Sequence, residues 1–211
     1  MKIWKNTSTL DGFDNNLTFT ESTFEAEIAL LGGKSFNLKK FPNLKGIFRA
    51  GIGSDNVPIE EANKKDIIIR FPSKKTTNII YEETASFTCS LIFRMLFNSL
   101  GTLEPWLKNP RQQLSKKKLL VIGKGRIGSR VIKLMSPFLE VFNFDIIDDK
   151  ISKLKKLMKE VDCVTLHIPK TNSNISFIDE QKLSWMRSDS ILINTSRGAI
   201  VDEKALYKEI K

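Results

Sequence analysis

Histidine and cysteine are scarce in this 211-residue chain, which holds one histidine and two cysteines. With a single histidine, no His/Cys cluster at metal-ligand spacing can be drawn, and no metal centre is expected. Cys89 and Cys163 fall inside apolar helical and strand patterns. They read as small buried hydrophobes rather than disulfide partners, which predicts a reducing, cytoplasmic setting. Long apolar runs are missing as well. None approaches the ~20 residues of a membrane span, and the opening MKIWKNTSTLDGFD lacks the apolar core of a signal peptide. No membrane partner is expected.

What is present suits an ordinary globular protein: 41% hydrophobic and 27% charged residues, enough to bury a sizeable core, with a net charge of +10. The lysines behind that charge are scattered, at 39, 40, 64, 65, 74, 75, 116–118, 153, 155, 156 and 159. Aromatic residues do not interleave with them as a stacking platform, so they read as a solvated surface and no nucleic-acid partner is expected. A positive field still favours anionic cofactors and substrates.

The pattern divides near residues 100–115. Before it, Ile28–Leu31, Gly46–Arg49 and Ile67–Phe71 read as strands. Pro58 opens a helix over Ile59–Lys65, and Tyr81–Leu100 carries apolar residues at helical spacing. GTLEPWLKNPRQQLSKKK is polar, holds two prolines and reads as a connection. After it, strands at 119–122, 141–144, 163–168 and 191–194 alternate with helices at 127–138, 151–160, 178–186 and 202–210. Such alternation with near-continuous apolar strands implies a parallel sheet covered on both faces.

The sharpest motif is VIGKGRIGSRVIKLM, 121–135, where a strand meets Gly123, Gly125 and Gly128 and runs into a helix. Gly123 permits a tight turn, Gly125 lets backbone touch a pyrophosphate, and Gly128 lets helix and strand pack closely; the helix N-terminus faces the phosphates. The next strand ends in Asp145, whose carboxylate suits two ribose hydroxyls. Asp148 and Asp149 follow it, so a 2′-phosphate would meet negative charge, and NAD is favoured over NADP. Gly123, Asp145, His167 and Thr195–Arg197 all fall at strand carboxyl ends, where such sheets bind ligands. In NTSRGAIVDE, Arg197 suits bidentate capture of a carboxylate. Spacing alone equally allows a salt bridge from Arg197 to Asp202 or Glu203.

From about Ala26 to Lys211 the chain resembles the D-isomer-specific 2-hydroxyacid dehydrogenases, most nearly the phosphoglycerate dehydrogenase branch. The resemblance rests on FPNLKGIFRAGIGSDN (41–56), VIGKGRIGSRV (121–131), DCVTLHIPKT (162–171) and LINTSRGAIVDEKAL (192–206). It implies an α/β protein of two domains: a parallel-sheet Rossmann-type NAD-binding domain, incomplete at its C-terminus, and a smaller flavodoxin-like α/β substrate domain. Residues 1–100 would form the substrate domain, with a linking helix over about 81–100; 101–115 would connect, and 116–211 would bind NAD. The resemblance puts Arg126 and Ile127 on the pyrophosphate, Asp145 on the adenosine ribose, and Ile168 and Pro169 beside the adenosine. It puts Thr195 and Ser196 along the nicotinamide and Arg197 on the carboxylate of a 2-hydroxy or 2-oxo acid. Arg49, Ala50, Gly51 and Gly53 would offer backbone to the substrate, and a homodimer is implied.

The departures from the family matter equally. Its members carry the acid–base histidine beyond the IVDE helix, and this chain stops inside that helix, at Lys211. His167 matches the HxP turn beside the cofactor, which makes it structural. The short interval between Asp145 and Asp162 predicts about four strands in the second sheet, with 191–194 an open edge. The expectation is a fragment of an NAD-dependent oxidoreductase acting on the CH–OH group of a 2-hydroxy acid, inactive alone. The alternative is a non-catalytic NAD-binding module on the same frame.

Overall fold

The computed structural model describes residues 1–12, 16–97, 101–102, 104–110 and 112–210. Its contacts divide the chain into two compact units, Met1–Ile80 and Tyr81–Lys211. Both are α/β, with every strand of each main sheet parallel.

In the first unit, β1 (Lys2–Lys5), β2 (Thr18–Phe19), β3 (Ile28–Leu31), β4 (Gly46–Arg49) and β5 (Ile68–Arg70) line up as β2-β1-β3-β4-β5, with helix α1 (Ile59–Asn63) between β4 and β5. This is the flavodoxin-type order. Its core gathers Ala29, Leu31, Leu38, Phe41, Ile47 and Ala62 under Trp4 and Phe36, and the Trp4 and Phe41 rings meet edge-on at 4.9 Å. Sequence patterning does not reveal β1 or β2. KIWK holds only two apolar residues between flanking lysines, and those lysines are held by local contacts: Lys5 lies 4.4 Å over the Phe19 ring and Lys2 pairs with Glu25 at 2.9 Å.

The division between units falls within α2 (Lys74–Leu96). The sequence predicts this helix only from Tyr81, because its first seven residues lack apolar spacing. It starts earlier because the Ser73 hydroxyl accepts the Thr76 N–H at 3.2 Å, satisfying a first-turn amide. Residues 98–100, where the predicted helix ends, lie outside the described residues. The stretch read as a connection holds a short antiparallel ribbon of β6 (Gly101–Thr102) and β7 (Leu107–Lys108).

The second unit then alternates β8 (Lys118–Ile122), α3 (Gly128–Met135), β9 (Glu140–Phe144), α4 (Ile151–Met158), β10 (Cys163–Leu166), α5 (Glu180–Leu183), β11 (Ile191–Asn194) and α6 (Glu203–Glu209). Its four strands order as β11-β10-β8-β9, with β11 at one edge. Period-two alternation buries both faces. Leu120, Ile122, Val164 and Leu166 pack with Leu154 and Met158 of α4, whereas Leu119, Val121, Cys163 and Ile193 pack with Ala85, Cys89 and Ile92 of α2 and Val131 and Met135 of α3.

At the amino edge of this sheet, Asp162 accepts Lys118 N–H at 2.8 Å and the Lys117 ammonium at 2.9 Å. Burial pushes that carboxyl up, but these bonds outweigh it and hold it below the usual range. One predicted helix is much shorter than expected. Ile178 is extended and bridges Val201, and Asp179 caps α5 by accepting Lys182 N–H at 2.8 Å. The apolar run 177–178 therefore feeds the core before the helix begins.

Candidate functional site

Four loops leave the carboxyl edge of the second sheet. The register Ile122↔Leu166↔Asn194 sets the ends of β8, β10 and β11 level, and Ile122↔Phe144 adds β9. The parallel topology therefore brings Gly123–Gly128, Asp145, Ile168–Pro169 and Thr195–Arg197 to one edge.

The first loop is shaped by its glycines. Gly123 sits at φ +96, and a Cβ there would lie 2.6 Å from the His167 carbonyl oxygen. A Cβ on Gly128 would lie 1.9 Å from the Gly123 carbonyl oxygen, so strand end and helix start touch through backbone. Gly125 has nothing within 4 Å of its would-be Cβ. Among the described residues, no acceptor pairs with the amides of Gly125, Arg126 or Ile127. An open glycine beside unpaired amides at a helix N-terminus fits the diphosphate of a dinucleotide.

Tyr81 and Arg130, not singled out in the sequence, help hold this loop. Arg126 donates to the Tyr81 hydroxyl at 2.5 Å, and the Arg126 and Arg130 guanidinium carbons each lie 5.4 Å from the Tyr81 ring centre. Tyr81 is buried on α2, and a buried tyrosine on an apolar helix face was the available signal for such a role. Asp145 is half-buried and accepts two backbone amides, from Lys124 at 2.8 Å and Ile147 at 3.2 Å. The Asp145 N–H in turn donates to Asp149 at 2.9 Å.

His167 follows β10 and supports the loop from beneath. Its N–H donates to the Ile122 carbonyl at 2.7 Å, and its Nε2 lies 3.0 Å from Thr165 Oγ1. Burial pushes its pKa down to about 4, so the ring is neutral near pH 7. Ile168 is buried, and Asn174 fixes the adjoining turn by donating to the Pro169 carbonyl at 2.9 Å.

After β11, Asn194 folds over its own turn. It accepts from Ser196 N at 3.0 Å and Ser196 Oγ at 2.7 Å, and donates to the Arg197 carbonyl at 2.8 Å. Thr195 Oγ1 lies 2.8 Å from Thr88 Oγ1, and the buried Thr88 gives its own proton to the Thr84 carbonyl at 2.8 Å. One arrangement satisfies both contacts: Thr195 donates to Thr88 and keeps its lone pairs for an outside N–H. An open recess of about 510 Å³ borders Thr195, lined by Glu83, Thr84, Phe87, Leu91 and Asn194. Arg197 is half-buried, with Nη1 donating to the Ser196 carbonyl at 2.9 Å. Asp202 caps α6, its Oδ1 accepting the Lys204 and Ala205 amides.

The remaining candidates lie in the first unit, after β4. Arg49 is buried, donating from Nε to the Gly53 carbonyl at 2.9 Å and from Nη1 to the Leu31 carbonyl at 3.2 Å. A Cβ on Gly51 would come within 2.7 Å of that guanidinium. Arg49 thus braces its own loop, and Ala50 to Gly53 present backbone around it.

A sequence model of the D-isomer specific 2-hydroxyacid dehydrogenase, NAD binding domain, matches residues 102–211. The D-3-phosphoglycerate dehydrogenase of Methanocaldococcus jannaschii is 30% identical over 193 residues, 82% of this chain and 36% of the relative. A glyoxylate reductase of Korarchaeum cryptofilum is 31% identical over 191 residues, 81% and 56% respectively. The chain thus spans about a third to somewhat over half the length of these relatives, 36% and 56%. Among solved structures, D-lactate dehydrogenase from Aquifex aeolicus, complexed with NAD and lactic acid, superposes with a TM-score of 0.74 at 24% identity, covering 100% of this chain and 73% of that one. A phosphoglycerate oxidoreductase from Vibrio cholerae gives 0.76 at 18% identity, covering 98% and 78%.

Proposed function

The chain belongs to the D-isomer specific 2-hydroxyacid dehydrogenase family, and on that premise we propose that it is the cofactor-binding and carboxylate-holding part of an NAD-dependent enzyme interconverting 2-hydroxy and 2-oxo acids. One observation carries the reading: the glycine loop and the Thr195–Arg197 turn leave strands of equal register at one sheet edge. Residues 116–211 take NAD in this reading, residues 1–100 take the substrate, and 101–115 connect them.

When bound, NAD supplies the hydride acceptor or donor at its nicotinamide ring. The amides of Gly125, Arg126 and Ile127 hold the diphosphate, with Gly125 leaving room for it and Tyr81 bracing Arg126. Asp145, already fixed by two amides, takes the adenosine ribose hydroxyls, and Ile168 and Pro169 border the adenosine. Thr195 and Ser196 line the nicotinamide, Thr195 accepting a carboxamide N–H. Arg197 holds the substrate carboxylate and orients the adjoining carbon for hydride transfer.

Reduction also needs a proton delivered to the new alkoxide. His167 is unsuited: it is half-buried, neutral and engaged with Thr165. It is therefore not assigned as the proton donor. The same observation favours a second reading, a non-catalytic NAD-binding module. A homodimer is part of the proposal, supported by Phe87 and Met95, which stand 59% and 44% exposed on α2. A cytoplasmic location rests on the free, buried Cys89 and Cys163.

Calorimetry with NADH, then with glyoxylate, hydroxypyruvate or 3-phosphohydroxypyruvate added, tests the reading. NADH binding, with 2-oxo acid binding lost in Arg197→Glu and NADH affinity retained, is the expected result. Substrate affinity surviving Arg197→Glu would remove Arg197 from its role.

A further inference from the structure

The acids after β9 have a more specific arrangement than a simple barrier to a 2′-phosphate. Asp145 is held by the Lys124 and Ile147 amides, so its position depends on no cation. Asp149 receives the Asp145 N–H and the Lys153 ammonium, the latter at 2.7 Å. Asp148 alone engages the loop's only lysine: its Oδ2 lies 2.6 Å from Lys124 Nζ.

Lys124 stands between the first two glycines, and its backbone and ammonium both reach this acidic turn. Its hydrogen bond to Asp148, with the charges of Asp148, Asp149 and Asp145, raises the ammonium's pKa and keeps it charged. A cation so placed would be a ready partner for a phosphate on the adenosine ribose, which carries about two negative charges and strong acceptor oxygens.

We propose that the Lys124–Asp148 ion pair sets the choice between NAD(H) and NADP(H): Asp148 occupies the ammonium that would otherwise take up a 2′-phosphate. This rests on the glycine loop and Asp145 binding the adenosine half of the cofactor. It divides the work between two acids. Asp145 reads the ribose hydroxyls, and Asp148 disarms the one lysine on the loop.

The test is the ratio of NADPH to NADH dissociation constants, measured by calorimetry on the full chain. The ratio cancels everything the two cofactors share, and NADH binding reports that each variant is folded. Asp148→Asn should lower the ratio about tenfold, since it frees a charged donor for a charged acceptor at an exposed site. Lys124→Met should raise it about threefold, and the gain of Asp148→Asn should shrink in 0.5 M salt.

The double variant, Lys124→Met with Asp148→Asn, separates the proposal from mere loss of a negative charge. Return of the ratio to the wild-type value or above supports a lysine-borne effect. Persistence of the gain without Lys124 would overturn it, as would a ratio within twofold of wild type in Asp148→Asn. If wild-type protein binds neither NADH nor NADPH, the cofactor reading itself falls and takes this inference with it. Retained NADH binding with an unmoved ratio removes the inference alone.

Discussion

The loop after β8 and the loop after β4 both carry glycines and both leave the carboxyl end of a parallel strand, yet they are satisfied differently. Around Gly125 there is open space, and the amides of residues 125–127 have no acceptor among the described residues. Around Gly51 the space belongs to the chain's own Arg49, whose guanidinium bonds the Gly53 and Leu31 carbonyls. A glycine run is therefore ambiguous by itself. It admits a ligand where the space beside it stays open, and a neighbouring side chain where that space is filled.

The largest effect expected from this contrast is at Gly128. Alanine there drives a Cβ to within 1.9 Å of the Gly123 carbonyl oxygen, a backbone atom that cannot step aside. Gly128→Ala should cost about 3 kcal/mol and abolish NADH binding, read by chemical denaturation and calorimetry. Gly125→Ala should leave the melting curve nearly unchanged while weakening NADH about tenfold or more, because the methyl fills space a diphosphate needs. Equal stability loss in both variants would deny the loop its open side.

A pH titration comes next and probes only the first loop. His167 lies directly beneath it, with a pKa of about 4 against 6.5 for the free side chain. Between those values the unfolded chain binds the proton and the folded chain resists it. Stability should therefore fall as pH drops from about 6.5 to about 4, by up to ~3 kcal/mol, and be fully present above that window. His167→Gln should flatten this limb in denaturation curves taken across the window. An unchanged slope would mean the ring is not protected by the fold.

The smallest effect is at the filled loop. Gly51→Ala, which crowds the Arg49 guanidinium, should cost about 1–3 kcal/mol, with NADH affinity held within twofold. A fall in NADH affinity larger than the stability change explains would erase the distinction between the loops.

Much of this was legible in the amino-acid sequence, unevenly. The glycine loop, Asp145 and the strand–helix alternation after residue 116 announce themselves, because each depends on local backbone demands and period-two burial. Strand β1 does not, since its lysines are supported by Phe19 and Glu25, contacts that only folding creates. The early start of α2 was written in Ser73, a capping signal hidden among polar residues. Tyr81, Thr88 and Asn194 stayed invisible as supports for Arg126, Thr195 and Ser196, because side-chain partnership leaves no periodicity. That the Arg49 guanidinium braces its own loop was not legible from its position beside glycines, because its carbonyl partners come together only on folding.

The most direct test of the central claim, that a dinucleotide diphosphate settles on the loop after β8, is an amide-resolved NMR titration of the full chain with NADH. The account predicts that the largest shifts fall on Gly125, Arg126 and Ile127, and that Asp145 follows. Saturating NADH that left those three amides in place while moving others would contradict it.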